Sequence, residues 1–167
     1  MEGRASNREI SRKNPSPAHG AFRRRFQPTP IGRRSTGRHT AGMQDIYLVE
    51  DSSPVRERLA AMLTGIPNTR VVGHAGGARE AVHDILAKHP DVVLCDISLK
   101  DGTGFEVLRA LRAKAPEIEC YMLSNFATQP YRRLAAELGA RDLFDKSTEF
   151  ECVRDLVAKR AVDRKQP

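Results

Sequence analysis

From residue 45 onward the chain alternates five times between a short apolar run and an amphipathic helical pattern, and this rhythm restricts its fold more than any other feature. The short runs are Asp45–Val49, Arg70–His74, Asp91–Cys95, Ile118–Leu123 and Leu143–Asp145. Each is too short for a stable helix and reads as a strand. Between and after them, apolar residues recur three and four apart: Val55, Leu59, Met62 and Leu63; Ala81, Val82, Ile85 and Leu86; Phe105, Leu108 and Leu111; Tyr131, Leu134, Ala135 and Leu138; Phe150, Val153, Leu156 and Val157. That spacing gives five helices, each with one apolar face. Ser53 is expected to cap the first, with Pro54 in its first position, and Thr148 with Glu151 to form a capping box on the fifth. His89-Pro90 ends the second and Gly139 follows the fourth. The second and third strands are nearly continuous apolar runs, as expected where helices cover both faces of a sheet. Five such units with right-handed crossovers make a doubly wound α/β fold. The flavodoxin-like (βα)5 order 2-1-3-4-5 suits this length, and its switch point falls between strands one and three.

The residues at the strand ends carry the chemistry. Strand one leads into Glu50-Asp51, strand three into Asp96, strand four into Ser124 and strand five through Asp145 to Lys146. In a parallel sheet all these ends lie on one edge, where α/β folds bind ligands. Any one residue alone is as well explained as a cap, a turn residue or a surface charge; the ordered set carries the argument. Asp51 and Asp96 can each give a carboxylate oxygen to Mg²⁺, Glu50 can bind directly or through water, and the backbone carbonyl of Ser98 can add a neutral ligand. Asp96 can then act as a nucleophile toward a phosphoryl group. Lys146 can supply positive charge, and the Ser124 hydroxyl a hydrogen bond, to the transferring oxygens.

The basic net charge, +7 over 167 residues, belongs to one end. Residues 1–42 hold ten Lys/Arg and two acids, so the remainder carries 18 basic and 19 acidic side chains. A nucleic-acid surface is therefore not expected on the folded part. The tail is rich in Arg, Ser, Gly and Pro, including Pro15, Pro17, Pro28 and Pro30. Such a composition predicts disorder. It reads as a polybasic arm, as a transit segment, or as sequence outside the working protein with translation starting at Met43. The last is preferred, because residues 43–167 form a self-sufficient pattern. No apolar run approaches the roughly 20 residues of a membrane span. Cys95, Cys120 and Cys152 form no CxxC pair and are expected to be buried, reduced thiols, which suits a cytoplasmic location. His74, His83 and His89 read as ordinary surface or half-buried residues.

Residues 45–162 resemble the receiver domain of two-component response regulators. The resemblance rests on Tyr47-Leu48-Val49-Glu50-Asp51-Ser52-Ser53-Pro54, on Asp91 to Asp96, on Asp101-Gly102-Thr103-Gly104-Phe105, on Ser124, and on Gly139-Ala140 followed by Lys146. It implies that Asp96 is the phosphoacceptor, Glu50 and Asp51 acidic metal-site residues, Ser124 the switch hydroxyl and Lys146 the phosphate-contacting lysine. It further implies Mg²⁺ as cofactor, and a sensor histidine kinase or histidine phosphotransfer protein as donor. Output is expected through the surface of helix four, strand five and helix five. Three positions depart from the family pattern. Lys100 stands where Pro is usual, Ser147 replaces the Pro after the lysine, and Leu143 takes the place of the switch aromatic. A cis bond before Ser147 is not expected. Phe144 is adjacent but belongs to the opposite sheet face. Phe126 is expected to screen the site from water.

Few residues follow helix five, which reads as a stand-alone receiver that is not itself an enzyme and signals by phosphorylation-dependent binding to another protein. A homodimer through helices four and five is left open. A haloacid-dehalogenase-type phosphohydrolase would need a second Asp where Ser98 stands. The remaining alternatives are a receiver-like binding module that is never phosphorylated, and a nucleic-acid-binding adaptor that works through the basic tail.

Overall fold

The computed structural model describes residues 42–163. The expectations for the basic tail, residues 1–42, lie outside the described residues, Gly42 apart. Five parallel strands form one sheet in the order β2-β1-β3-β6-β7: β1 Gln44–Val49, β2 Thr69–Ala75, β3 Val92–Asp96, β6 Glu119–Ser124 and β7 Asp142–Asp145. The helices between and after them are α1 Ser53–Thr64, α2 Ala78–Lys88, α3 Gly104–Lys114, α4 Gln129–Glu137 and α5 Phe150–Asp163. A two-residue hairpin, β4 Ser98–Leu99 with β5 Gly102–Thr103, lies between β3 and α3. With that hairpin set aside, the order is the expected 2-1-3-4-5, and the fold is flavodoxin-like.

Side-chain alternation along the strands assigns the helices to faces. Tyr47, Val49, Val93, Cys95, Cys120, Met122 and Leu143 point to one side and pack with Ala81 and Ile85 of α2, Leu108 and Leu111 of α3, and Ala135 of α4. Ile46, Leu48, Val92, Leu94, Tyr121, Leu123 and Phe144 point to the other and pack with Leu59 and Leu63 of α1 and Val153 and Val157 of α5. Leu143 and Phe144 thus do face opposite ways. β1 and β3 are buried along their whole length.

Several local features differ from the sequence reading. β2 is an edge strand and half-exposed rather than covered on both faces. Its Gly73 lies under Tyr47, whose ring would be 2.7 Å from a Cβ there. The N-cap of α1 is Ser52, and Ser53 begins the helix. The Ser52 N–H donates to Glu50 Oε1, which holds Ser52 in extended backbone and fixes the start of the helix. The capping box at Thr148 does not form. Asp145 Oδ1 accepts the Ser147 N–H, which keeps Ser147 and Thr148 in a turn, and α5 starts at Phe150. Cys95 and Cys120 are buried, but Cys152 is exposed on α5. α4 is thinly packed: Ala135 is its one buried residue, and Tyr131 is exposed. Among the described residues every peptide is trans, that before Ser147 included, and no helix is long and apolar enough to cross a membrane.

Two contacts lend themselves to measurement. A Cβ at Gly104 would collide with the backbone oxygen of Asp96, and would lie 2.8 Å from Met122 Cε and 2.9 Å from Cys95 Sγ. Backbone cannot yield there cheaply, so Gly104→Ala should destabilise the fold by about 3 kcal/mol or more, read by urea unfolding. The buried Tyr47 hydroxyl donates to Asp84 at 2.7 Å, and Lys88 pairs with the same carboxylate. The Lys88 ammonium, and then the Tyr47 hydroxyl, hold the Asp84 carboxyl below the usual Asp range. A lowered folded value means that Asp84 stabilises above the ordinary Asp range and loses that contribution as pH falls through the lowered value. Asp84→Asn should therefore be less stable than wild type near neutral pH and show a weaker acid dependence.

Candidate functional site

The alternation that builds the core also gathers the site. Continuing along their strands, Glu50 follows the side of Ile46 and Leu48, Asp96 that of Val92 and Leu94, and Lys146 that of Phe144. All three fall on the α1/α5 side of the carboxyl edge, and all three are buried. The Lys146 ammonium lies 2.5 Å from Glu50 Oε2 and 2.8 Å from Asp96 Oδ2. One cation therefore bridges two buried carboxylates. Asp51 has the opposite parity and is exposed. Ligand oxygens of Glu50, Asp51 and Asp96 nevertheless lie within 4.8 Å of one another.

This cluster holds three carboxylates and one ammonium, so negative charge is in excess. Burial pushes the Glu50 carboxyl above its usual range, against the hydrogen bond and charge of Lys146. A hard divalent cation entering on the exposed Asp51 side would relieve that excess, and a set of oxygen ligands open to water is what Mg²⁺ favours. Ser98, two residues past Asp96, is exposed at the start of the β4–β5 hairpin.

Ser124 ends β6 beside Asp96, whose register partner is Leu123. It is buried, and its Oγ accepts the Phe126 N–H at 3.0 Å, which leaves the hydroxyl proton free to be donated elsewhere. Its carbonyl accepts the Lys146 N–H at 2.8 Å, so the two residues are tied through the backbone. Phe126, of which a screening role was expected, is 72% exposed. Lys100 is exposed, with its N–H directed to the Gly76 carbonyl at 3.4 Å. His74, His83 and His89 are all exposed and take no part in the cluster.

Three supporting side chains were given no role from the sequence, although Asp101 belongs to the quoted Asp101–Phe105 motif. Arg56 in α1 donates to the Glu50 carbonyl at 3.1 Å and to Ser53 Oγ at 2.9 Å, fixing the loop that carries Glu50 and Asp51. A cation in the first turn of a helix is electrostatically out of place, and that was the available signal. Asp101 accepts the Ala78 N–H at 2.5 Å, so the hairpin turn caps α2. A Cβ at Gly77 would strike that carboxylate. Arg132 in α4 pairs with Glu149 at 2.8 Å. The last two contacts join residues far apart in the chain and leave no local pattern.

Comparisons with known proteins agree with this geometry. Residues 46–158 match the model of the response regulator receiver domain. The DNA-binding transcriptional activator DevR/DosR of Mycobacterium tuberculosis is 36% identical over 86 residues, which cover 52% of this chain and 40% of that protein. A protein-glutamate methylesterase/protein-glutamine glutaminase of Anaeromyxobacter dehalogenans is 36% identical over 103 residues, covering 60% of this chain and 28% of the relative. The chain thus spans less than half the length of either. Among solved structures, the response regulator domain of Thermotoga maritima CheB superposes with a TM-score of 0.64 at 26% identity, over 73% of this chain and 96% of that one. With the family match covering most of the chain and the acidic cluster lying at the carboxyl edge of the matching fold, this chain belongs to the response regulator receiver domain family.

Proposed function

We propose that this protein accepts a phosphoryl group on Asp96, in a Mg²⁺-dependent reaction, from a histidine kinase or histidine phosphotransfer protein. The observation that carries this reading is Asp96 itself: a carboxylate at the end of the central strand, held by Lys146 at 2.8 Å beside Glu50 and Asp51. An Asp96 oxygen forms a bond to phosphorus while the donor's phosphorus–nitrogen bond breaks, and the electron pair leaves with the imidazole. Asp51, Asp96 and the Ser98 carbonyl would hold Mg²⁺, with Glu50 binding directly or through water; the ion supplies positive charge to the phosphoryl oxygens. Lys146 neutralises a second phosphoryl oxygen as a point charge. Ser124 donates its hydroxyl to a third, its Oγ oriented by the Phe126 N–H.

In this reading residues 43–167 form the receiver and residues 1–42 an appended tail. The receiver catalyses only its own phosphorylation and dephosphorylation, in the cytoplasm. Its output is binding of another protein through the surface of α4, β7 and α5. The methylesterase named among the relatives is far longer than the matched region, so no such activity is assigned here.

Intact-protein mass spectrometry after incubation with acetyl phosphate and Mg²⁺ tests this reading. Wild type should gain one labile phosphoryl mass, and Asp96→Asn and chelator-treated protein should not. No gain under any donor or metal condition would instead make the protein a constitutive binding module. Asp51→Asn should raise the Mg²⁺ concentration needed for half-maximal labelling by about tenfold or more. Lys146→Met leaves two carboxylates buried without their cation; it should lose labelling and cost about 3–5 kcal/mol in urea unfolding.

A further inference from the structure

We infer that Arg132 is a positioning residue which, paired with Glu149, couples the loop after Ser124 to the loop after Lys146. The inference rests on the phosphoacceptor reading of Asp96 and goes beyond it, because it assigns the route by which that event reaches α5.

The half-buried Arg132 guanidinium uses all three of its nitrogens on three separate segments. Nε donates to the Ala127 carbonyl at 3.2 Å, Nη1 to the Leu143 carbonyl, and Nη2 to Glu149 Oε2 at 2.8 Å. Ala127 lies three residues after Ser124; Leu143 lies three before Lys146 and Glu149 three after it. Arg132 therefore touches the flank of one site residue and both flanks of another. The other arginine ion pairs each reach a single segment: Arg154 pairs within its own helix, Arg70 with Asp45 of β1, and Arg141 and Arg160 with Glu119 of β6.

Glu149 extends the link. Its carboxylate also accepts the Asp145 N–H at 2.8 Å, one residue before Lys146. Burial by itself would raise the Glu149 carboxyl, but the Asp145 N–H and Arg132 outweigh it and hold that carboxyl below the usual Glu range. At the other end, the Phe126 N–H is bound to Ser124 Oγ, and the Ala127 carbonyl follows directly in the chain. A Ser124 hydroxyl drawn toward a phosphoryl group on Asp96 pulls Phe126 and Ala127 with it. Ala127 then moves against the Arg132 fork, which is planar and cannot follow without shifting its other two bonds. α4, with one buried residue, is free to yield. Leu143, whose aliphatic side chain is buried, contributes its backbone carbonyl to this route.

The test uses the full chain, as wild type, Arg132→Ala, Glu149→Leu and the double variant, followed by two-dimensional amide NMR with Mg²⁺ and beryllofluoride. Asp96 and Ile97 report the site; Phe150 and Glu151 report the start of α5. The site response should persist in every variant, while the response at Phe150 and Glu151 falls by more than half. The two single variants and the double should lose about the same amount, since they break one link. Glu149→Leu keeps much of the bulk of the side chain but has no acceptor for Arg132 or the Asp145 N–H, so it decides the matter even if Arg132→Ala fails to fold. A full response at α5 in Glu149→Leu, or losses that simply add, would overturn the coupling alone. No response at Asp96 in wild type would overturn the phosphoacceptor reading and the coupling with it.

Discussion

The structure turns on one ammonium group placed between two buried carboxylates. Without Lys146, Glu50 and Asp96 would be like charges close together in a poorly solvated place, which costs several kcal/mol. With it, three strands are drawn together at one edge: Glu50 follows β1, Asp96 ends β3 and Lys146 follows β7. The contact spans 96 positions in the chain between Glu50 and Lys146. It is also incomplete compensation: two carboxylates already exceed one ammonium, and the exposed Asp51 adds a third. That surplus favours a divalent cation, and such a cation would in turn make an anionic phosphoryl group tolerable.

Around this contact the fold separates rigid from yielding parts. β1 and β3 are buried throughout and anchor the acidic groups. Gly104 lets α3 approach the Asp96 backbone where no Cβ would fit. α4, by contrast, has one buried residue, Ala135, with Leu134 partly buried and Tyr131 against the Phe105 ring, and is tied further by the polar contacts of Arg132. On the proposed function, a phosphoryl group would have little leverage on the core and more on this lightly packed segment.

Much of this was legible in the chain because it depends on periodicity. Alternation along strands and the 3–4 spacing of helices yielded five strands, five helices, their order and the residues at the carboxyl edge. The same parity argument placed Leu143 and Phe144 on opposite faces. The misreadings were local competitions. Ser53 and the Thr148–Glu151 pair are sound capping signals, yet a hydrogen bond from Ser52 to Glu50 and the Asp145 turn moved both helix starts. Cys152 sits on a helical face that no neighbour covers, and composition alone could not tell it from Cys95 and Cys120.

The sequence by itself determined the class of fold and which carboxylates, hydroxyl and lysine stand at its carboxyl edge, because side-chain period and strand direction are properties of the local chain. Only the tertiary structure decided which charges meet. It paired Lys146 with both Glu50 and Asp96, left Asp51 facing water, exposed Phe126, and ran Arg132 across three segments. Those outcomes depend on distances between residues remote in sequence and on what solvent each is denied, and no local pattern encodes either.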